Sequence, residues 1–437
     1  MSRPRSRRLP AVGVILLGTA VGQGTVIAVS PLLTRIYGPS DFGALAVITA
    51  LCSIIGAFGT MGTDRAVIVA PSRRAVRHLA GFGMIASAVV AGLVGLLAWA
   101  TNDALAQAFD APVLSTVWWL FPFTSFAISG YRLVSACLAR DQRYGSIARR
   151  NAVQGLAQSV WNVSAGLLGP VGLLGGLLLG RLAGLFGSFG RSRGNDTRNA
   201  PCAETTAGPW ETLRRHRRFL VVTPWSALLN VIGQQAPSIL LALSLGSTTA
   251  GYVALTMRVL GSPVGMLADA VAQWSAGAFG RRIRSGDPVD QLLRRIVVRL
   301  TIAAVCGVVL ILVVAPALFT AVFGERWAVS GQLARILVPA FAVQLVASPM
   351  TQLLALLGRQ VTQLIWDAGR LVVTSGAVLV TGLYGASTTT TVFALSAAMV
   401  LAYGSVLVLV RRAVRANQQV LATAALRPEA LAESTTG

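Results

Sequence analysis

The sequence predicts an all-α integral membrane protein with about twelve transmembrane helices in two six-helix bundles. Of its 437 residues, 54% are hydrophobic and 12% are charged, and the mean hydropathy is +0.68, too high for a soluble domain of this size. Apolar segments long enough to cross a bilayer recur along the chain. The net charge of +22 comes from short arginine clusters between those segments, which indicates membrane orientation rather than nucleic-acid binding.

Twelve spans are predicted from the lengths of the apolar segments and from the breaks between them. The first two meet at the turn Gly38-Pro39-Ser40, where the proline has no amide hydrogen with which to continue a helix. Arg35 precedes this turn and Asp41 follows it, so the turn predicts a helical hairpin with charged flanks. The predicted spans are 11–35, 42–63, 79–101, 112–138, 151–169, 171–190, 219–245, 249–275, 300–323, 333–357, 361–382 and 389–410.

The arginine clusters predict which loops face the cytoplasm. One cluster precedes the first span, and further arginines follow every even-numbered span. The opposite loops hold only Arg35, Arg326 and Arg335. Because cytoplasmic loops are enriched in basic residues, this alternation predicts that both termini are cytoplasmic.

The predicted organisation is an N-terminal six-helix bundle (1–190), a polar cytoplasmic linker (191–218), a C-terminal six-helix bundle (219–415) and a cytoplasmic tail (416–437). The two halves open in a similar way. Phe42-Gly43-Ala44-Leu45 follows the first turn, and Gly251-Tyr252-Val253-Ala254-Leu255 follows a second turn at Gly246-Ser247-Thr248. This similarity predicts a parallel duplication.

Composition excludes several kinds of chemistry. All 37 basic residues are arginine, so the chain has neither the lysine of a phosphate-binding P-loop nor one for a Schiff base. The four cysteines have no metal-ligand spacing, and both histidines lie in arginine clusters. We therefore expect no cofactor, no metal and no catalytic residues.

Charged residues inside the spans are the candidate site residues, because an intramembrane charge is costly unless it faces a cavity or a partner. Arg258 and Asp269 are eleven residues apart and would share one face of a continuous helix. Asp367 and Arg370 are spaced to pair, either as a structural ion pair or for ion coupling. The predicted substrate-binding residues are Arg258, Arg35 and Arg132, and the predicted ion-coupling or paired residues are Asp269, Asp367, Arg370 and Asp64.

Two segments carry a family resemblance. The first runs from Ser30-Pro31-Leu32-Leu33-Thr34-Arg35 through Gly38-Pro39-Ser40-Asp41-Phe42-Gly43 to Gly62-Thr63-Asp64-Arg65. The second is Gly251-Tyr252-Val253-Ala254-Leu255 followed by Arg258. Both resemble the polysaccharide transporter family, which contains the O-antigen and capsule repeat-unit flippases of the multidrug/oligosaccharidyl-lipid/polysaccharide exporter (MOP) superfamily.

The resemblance implies a V-shaped, MATE-like transporter of the bacterial cytoplasmic (inner) membrane that is not an enzyme. Its implied substrate is an undecaprenyl-diphosphate-linked oligosaccharide, for surface polysaccharides such as lipopolysaccharide. Its other implied partners are membrane lipid, a polysaccharide polymerase and glycosyltransferases, with no nucleic acid. An arginine-bearing cavity suits an anionic diphosphate.

Three alternatives remain open. An ion-coupled multidrug exporter of the same superfamily would need acidic groups in its cavity, whereas arginines match or outnumber carboxylates in these spans. A peptidoglycan-precursor flippase would have an extra pair of helices. A membrane-embedded glycosyltransferase or polymerase would be expected to have acidic residues in the first outer loop and a larger outer domain. Here Asp41 is the only acid of that loop, and the predicted outer loops are short.

Overall fold

A computed structural model describes residues 11–188, 208–285, 289–357 and 359–433. Within these ranges the chain forms seventeen α-helices and no β-strand, which confirms the all-α fold class. In chain order the helices are α1 (Ala11–Ala28), α2 (Ser30–Ile36), α3 (Pro39–Gly59), α4 (Thr63–Val69), α5 (Arg73–Ala100), α6 (Asn102–Ala108), α7 (Val113–Thr116), α8 (Leu120–Arg140), α9 (Tyr144–Ser164), α10 (Pro170–Ser188), α11 (Pro209–Arg215), α12 (Arg217–Thr256), α13 (Ser262–Ser285), α14 (Asp290–Phe323), α15 (Ala328–Leu356), α16 (Gln360–Leu383) and α17 (Thr388–Glu433).

Every predicted span overlaps a described helix, and nine helical segments of the described chain are long and apolar enough to cross a membrane. One of them, Thr223–Ala272, contains most of the seventh and most of the eighth predicted span. Helices α8 and α9 are not among the nine, although 21 residues each give them a length of about 32 Å. Both carry arginines, and α9 also carries several amide side chains, which lowers their hydropathy.

The second predicted turn is a break inside α12. Gly246 has φ +78° and ψ 167°, a backbone conformation that glycine adopts readily because it has no Cβ. After Thr256 the chain forms a π-helical turn, Met257–Gly261, immediately before α13. Pro263 explains this turn, because proline cannot donate an amide hydrogen bond to the preceding turn and its ring crowds the carbonyl there.

The helices group into two compact units. Unit 1 contains residues 1–255 and 319–328, and unit 2 contains residues 256–318 and 329–437. The predicted division between two bundles was placed at residues 191–218, most of which lie outside the described ranges. That boundary stays a prediction.

In unit 1 the two similar hairpins pack directly against each other. Gly43 lies against the main chain of Ser247, and Gly251 lies against the main chain of Pro39, so a side chain at either glycine would collide with backbone. Gly43 is the fifth residue after Gly38, and Gly251 is the fifth residue after Gly246. Gly43 touches Ser247, which follows Gly246, and Gly251 touches Pro39, which follows Gly38. The predicted repeat therefore corresponds to a reciprocal contact.

Trp327 contacts one aromatic residue in each of the same two hairpins. Its ring meets Phe42 edge-on at 5.0 Å and Tyr252 at 5.8 Å between centroids. Its indole Nε1 donates a hydrogen bond to the carbonyl of Thr34 at 3.1 Å, and the side chain is fully buried. This contact joins residues that are almost three hundred positions apart in the sequence.

Helix α9 packs tightly between α1 and α10 because glycines line its neighbours. On the α1 side, Gly22 meets Gly155 of α9 through the main chain. On the α10 side, glycines recur every four residues and so share one face of the helix. They are Gly172, Gly176, Gly180 and Gly184, and each leaves no room for a Cβ without a shift of the facing α9 or loop atoms.

The core of unit 2 is formed by α13 to α17. Its buried apolar cluster includes Phe279, Leu293, Met350 and Trp366. The Trp366 indole donates a hydrogen bond to the carbonyl of Ala402 at 2.7 Å, which fixes α16 against α17.

Candidate functional site

Three helices of unit 1 meet at the ring of Tyr131 on α8. The guanidinium carbon of Arg150, near the start of α9, lies 3.8 Å from the ring centroid. The guanidinium carbon of Arg181, on α10, lies 4.8 Å from the same centroid. We call these three residues the Tyr131 cluster. Stacking on an aromatic ring compensates part of the cost of burying a cation.

A hydrogen-bond network fixes Arg150. Its guanidinium donates to the main-chain oxygen of Tyr131 at 3.1 Å, to Ser135 Oγ and to Asn151 Oδ1 at 3.1 Å. Tyr131 Oη donates to the same Asn151 oxygen at 2.6 Å, and Asn151 Nδ2 donates to Thr19 Oγ1 of α1 at 2.9 Å. Arg150 is 3% exposed, so its position is determined by α1, α8 and α9 together.

Arg181 differs from Arg150 because, within the described part of the chain, no hydrogen-bond acceptor contacts it. Its Nε is buried and has no hydrogen-bond partner among the described residues, and its guanidinium lies over the Tyr131 ring. A guanidinium has five N–H donors in a planar fork that matches phosphate and carboxylate groups. Arg181 therefore has unused capacity to bind an anion.

The Tyr131 cluster has no counter-charge among the described residues. The described ion pairs of unit 1 join Arg132 to Asp64 and Arg140 to Asp141, and neither involves Arg150 or Arg181. Two guanidinium groups on one ring repel each other, and the neighbouring groups that contact them are neutral. An anionic ligand between or beside them would remove that repulsion and gain charge-assisted hydrogen bonds.

Polar side chains of α9 extend the site along one face of the helix. Arg150, Gln154, Gln158 and Asn162 are spaced four residues apart, which places them in one stripe. Asn162 is 1% exposed, and neither atom of its carboxamide has a hydrogen-bond partner in the described structure. The stripe offers neutral hydrogen-bonding groups next to the cationic cluster.

The predicted site residues Arg132 and Asp64 form an ion pair. Arg132 Nη2 is 3.1 Å from Asp64 Oδ2, and Thr60 Oγ1 donates to Asp64 Oδ1 at 3.2 Å. Arg132 is next to Tyr131 in sequence but points to α4 through this contact. Because its charge is neutralised within the chain, Arg132 is less suited than Arg181 to bind a ligand.

The predicted pairing of Asp367 with Arg370 is observed in unit 2. Their side chains approach to 3.3 Å on α16, and Arg370 Nη1 donates to Tyr403 Oη of α17 at 3.2 Å. The guanidinium also lies over Trp366 at 5.2 Å and Tyr403 at 5.9 Å. These contacts join α16 to α17, and the choice between a structural pair and ion coupling stays a prediction.

Arg258 lies within the π-helical turn of unit 2 and is partly buried, while Asp269 lies on α13 and is exposed. The expectation that they share a face assumed a continuous α-helix. A π-helical turn inserts one extra residue and so rotates the following helix by roughly 100° relative to the preceding one. The assumption of a continuous helix is therefore wrong, and a role for either residue stays a prediction.

Arg35 is exposed in the last turn of α2. Its neighbour Asp41 accepts a hydrogen bond from the Gly38 amide at 2.8 Å and so caps α3. Of the two charged residues that flank the turn, Asp41 therefore stabilises it, whereas Arg35 lies exposed on its other side.

Arg150 and Arg181 are not among the site residues predicted from the sequence. The signal that would have found them is the spacing of polar residues on α9 together with the glycine spacing on α10. The polar residues of α9 recur every four residues from Asn162 back to Arg150. The glycines of α10 mark the face of that helix that packs against them. The partner ring, Tyr131, has no such signal.

Comparisons with known proteins agree with this fold. A family model described as "Polysaccharide biosynthesis protein" matches residues 32–332. Among solved structures, an inward-facing multidrug resistance MATE family transporter of the MOP superfamily is similar with a TM-score of 0.69 and 16% identity, covering 93% of this chain and 96% of that chain. No curated protein matches the chain.

Two further solved structures are similar. The lipid II flippase MurJ, in an inward closed conformation, has a TM-score of 0.68 and 10% identity, with 94% of this chain and 92% of that chain covered. A MOP superfamily transporter from Pyrococcus furiosus, whose binding pocket of reverse polarity suggests a different function for that protein, has a TM-score of 0.61 and 15% identity, with 93% and 96% covered. Because the family match spans more than half of the 437 residues, the chain belongs to the polysaccharide biosynthesis protein family and has the all-α fold of the MOP superfamily transporters.

Proposed function

We propose that the protein is a flippase that moves an undecaprenyl-diphosphate-linked oligosaccharide repeat unit from the cytoplasmic to the outer leaflet of the bacterial cytoplasmic membrane. Its membership of a polysaccharide biosynthesis family and its likeness to the fold of a lipid II flippase support this role. The proposal makes the chain a transporter rather than an enzyme. The oligosaccharide would serve surface polysaccharide synthesis.

The observation that carries the proposal is the uncompensated charge of the Tyr131 cluster. A diphosphate is anionic, and its transfer through a membrane requires cations that replace its hydration. Arg181 has donors without acceptors, and Arg150 is fixed beside it by neutral groups. The amide groups of Gln154 and Gln158, which are partly exposed on α9, are suited to the hydroxyl groups of a sugar.

The charge of this cluster also weighs against a cation exporter, the nearest alternative. The similar MATE structures show that the fold accommodates multidrug transport. A cationic drug would be repelled by Arg150 and Arg181, and the carboxylate of Asp64 on α4 is already paired with Arg132. An anionic substrate is favoured for this reason.

Deletion of the gene tests the proposal. We expect surface glycan to be lost and lipid-linked repeat units to accumulate on the inner leaflet, as measured by glycan labelling at the cell surface and lipid extraction. Wild-type protein should restore export, and the variant Arg73→Gln, which removes an exposed arginine of α5, should restore it equally. Normal surface glycan in a deletion strain without paralogues would contradict the proposal.

A further inference from the structure

A groove of about 430 Å³ lies between the N-terminal part of α14 and the middle of α17 in unit 2. Its floor is apolar and belongs to the edge of the unit 2 core, because Leu293, Val410 and Val414 are buried there. The remaining apolar lining residues are Val297, Val298 and Leu407. The groove thus has an apolar floor made of core residues.

Arginines border one end of the groove. Arg294 comes from α14, and Arg411 and Arg415 come from α17, and all three are exposed. The carboxylate among the lining residues is Asp290. It lies in the first turn of α14, where the positive end of the helix dipole stabilises its negative charge. Three cations and one anion leave the groove with a net positive charge.

The lengths of the two helices place this charged end outside the hydrocarbon. Helix α14 has 34 residues and α17 has 46, which correspond to about 51 Å and about 69 Å at 1.5 Å per residue. A bilayer core is only about 30 Å thick. The apolar part of α14 follows Arg299, and that of α17 precedes Arg411, so the groove lies at one membrane surface. Its apolar residues Val297, Val298 and Leu407 lie about one turn closer to the hydrocarbon than Arg294 and Arg411.

A second depression on α14 of about 560 Å³ continues the charged end. It is lined by Gln291, Arg294, Arg295, Val298 and Arg299, and it shares Arg294 and Val298 with the groove. Val298 is 49% exposed, so an apolar surface is open next to the arginines.

We propose that this groove binds an anionic phospholipid of the surrounding bilayer. Its phosphate contacts Arg294, Arg411 and Arg415, and one acyl chain passes the exposed side chain of Val298 toward the apolar part of α14. A phospholipid carries a phosphate and acyl chains on one glycerol and so presents both groups at this depth, and planar guanidinium groups bind phosphate through paired hydrogen bonds. The inference does not depend on the proposed glycan substrate, because it concerns a different unit of the chain.

The test uses the purified full-length protein in mild detergent. Phosphatidylglycerol and phosphatidylcholine with the same acyl chains are titrated separately, and binding is followed by thermal unfolding and by native mass spectrometry. We expect phosphatidylglycerol to raise the unfolding temperature and to remain bound. The triple variant Arg294→Gln, Arg411→Gln, Arg415→Gln should weaken this binding at least about tenfold.

A matched control removes three exposed arginines from the start of α5, by Arg73→Gln, Arg74→Gln and Arg77→Gln, and should change binding less than twofold. Should the groove triple variant fail to fold, Val298→Asn tests the acyl-chain contact without a change of charge and should weaken binding about threefold.

Three results would overturn the inference. Equal binding of the two phospholipids would exclude selection by charge, and equal losses in both triple variants would indicate a general surface effect. Stabilisation by inorganic phosphate or by undecaprenyl phosphate at concentrations as low as those of phosphatidylglycerol would reassign the site to a free anion or to a substrate lipid.

Discussion

The Tyr131 cluster of unit 1 and the Asp367–Arg370 pair of unit 2 use the same interaction in different ways. In both, an arginine within the helices lies over aromatic rings and is fixed by hydrogen bonds to its neighbours. Arg370 has a carboxylate 3.3 Å away, whereas no described carboxylate pairs with Arg150 or Arg181. The counter-charge decides the role: a compensated arginine holds two helices together, and an uncompensated one remains able to bind an anion.

The largest effect is expected from Arg181→Gln. The substitution keeps a hydrogen-bonding side chain of moderate length but removes the charge. Loss of a charge-assisted contact to phosphate costs about 1.5–3 kcal/mol, so export should fall roughly 10- to 100-fold while protein level and unfolding temperature stay near wild type. Surface glycan per molecule of membrane-inserted protein is the measurement.

Arg181→Lys provides the control for that prediction. It keeps the positive charge but loses the planar fork, and it should therefore recover part of the export. If Arg181→Gln exports normally, the Tyr131 cluster is a packing arrangement and the comparison between the two units fails.

Ser135→Asp should make unit 1 resemble unit 2. The Ser135 hydroxyl accepts a hydrogen bond from Arg150, so a carboxylate at this position would provide the missing counter-charge. We expect export to fall about fivefold, because the paired cluster attracts an anion less strongly, without a lower unfolding temperature. Ser135→Asn, which keeps a neutral acceptor, should export within twofold of wild type. Equal losses in both variants would point to steric disruption instead.

Arg258→Gln should reduce export only about threefold. Arg258 already interacts with other groups of the chain, so its removal should cost a ligand less than removal of Arg181. Export assays of the two variants side by side give the ranking. A loss at Arg258 as large as that at Arg181 would place the π-helical turn in the substrate site.

The sequence predicted the fold more completely than the site, for a physical reason. Span length, arginine placement and the paired hairpin motifs are local or periodic signals, and they identified the helices and the similarity that appears as the contact between Gly43 and Ser247. The spacing of Asp367 and Arg370 likewise predicted their pairing, because i and i+3 positions face each other on one helix.

The Tyr131 cluster was not predictable in this way, because it joins residues from three helices. A charged residue inside a predicted span indicates a free-energy cost of removing that charge from water. Only the packing of the helices shows whether a carboxylate neutralises the charge. Arg132 and Arg181 both lie inside predicted spans, yet one meets Asp64 and the other meets Tyr131. The π-helical turn at residues 257–261 was also missed, since the expected register between Arg258 and Asp269 assumed regular helix geometry.

Asp367→Asn should have the smallest effect on export and the clearest effect on stability. It leaves Arg370, whose side chain is 12% exposed, without its counter-charge, and the loss should be about 1–2 kcal/mol because Tyr403 still accepts a hydrogen bond. Export per folded molecule should stay within twofold of wild type. The double variant Asp367→Asn, Arg370→Gln should be less destabilised than the sum of the two single variants, as measured by thermal unfolding. Strict additivity would show that the pair contributes nothing, whereas a large export defect in Asp367→Asn would give this carboxylate a role in transport and remove the contrast between compensated and uncompensated arginines.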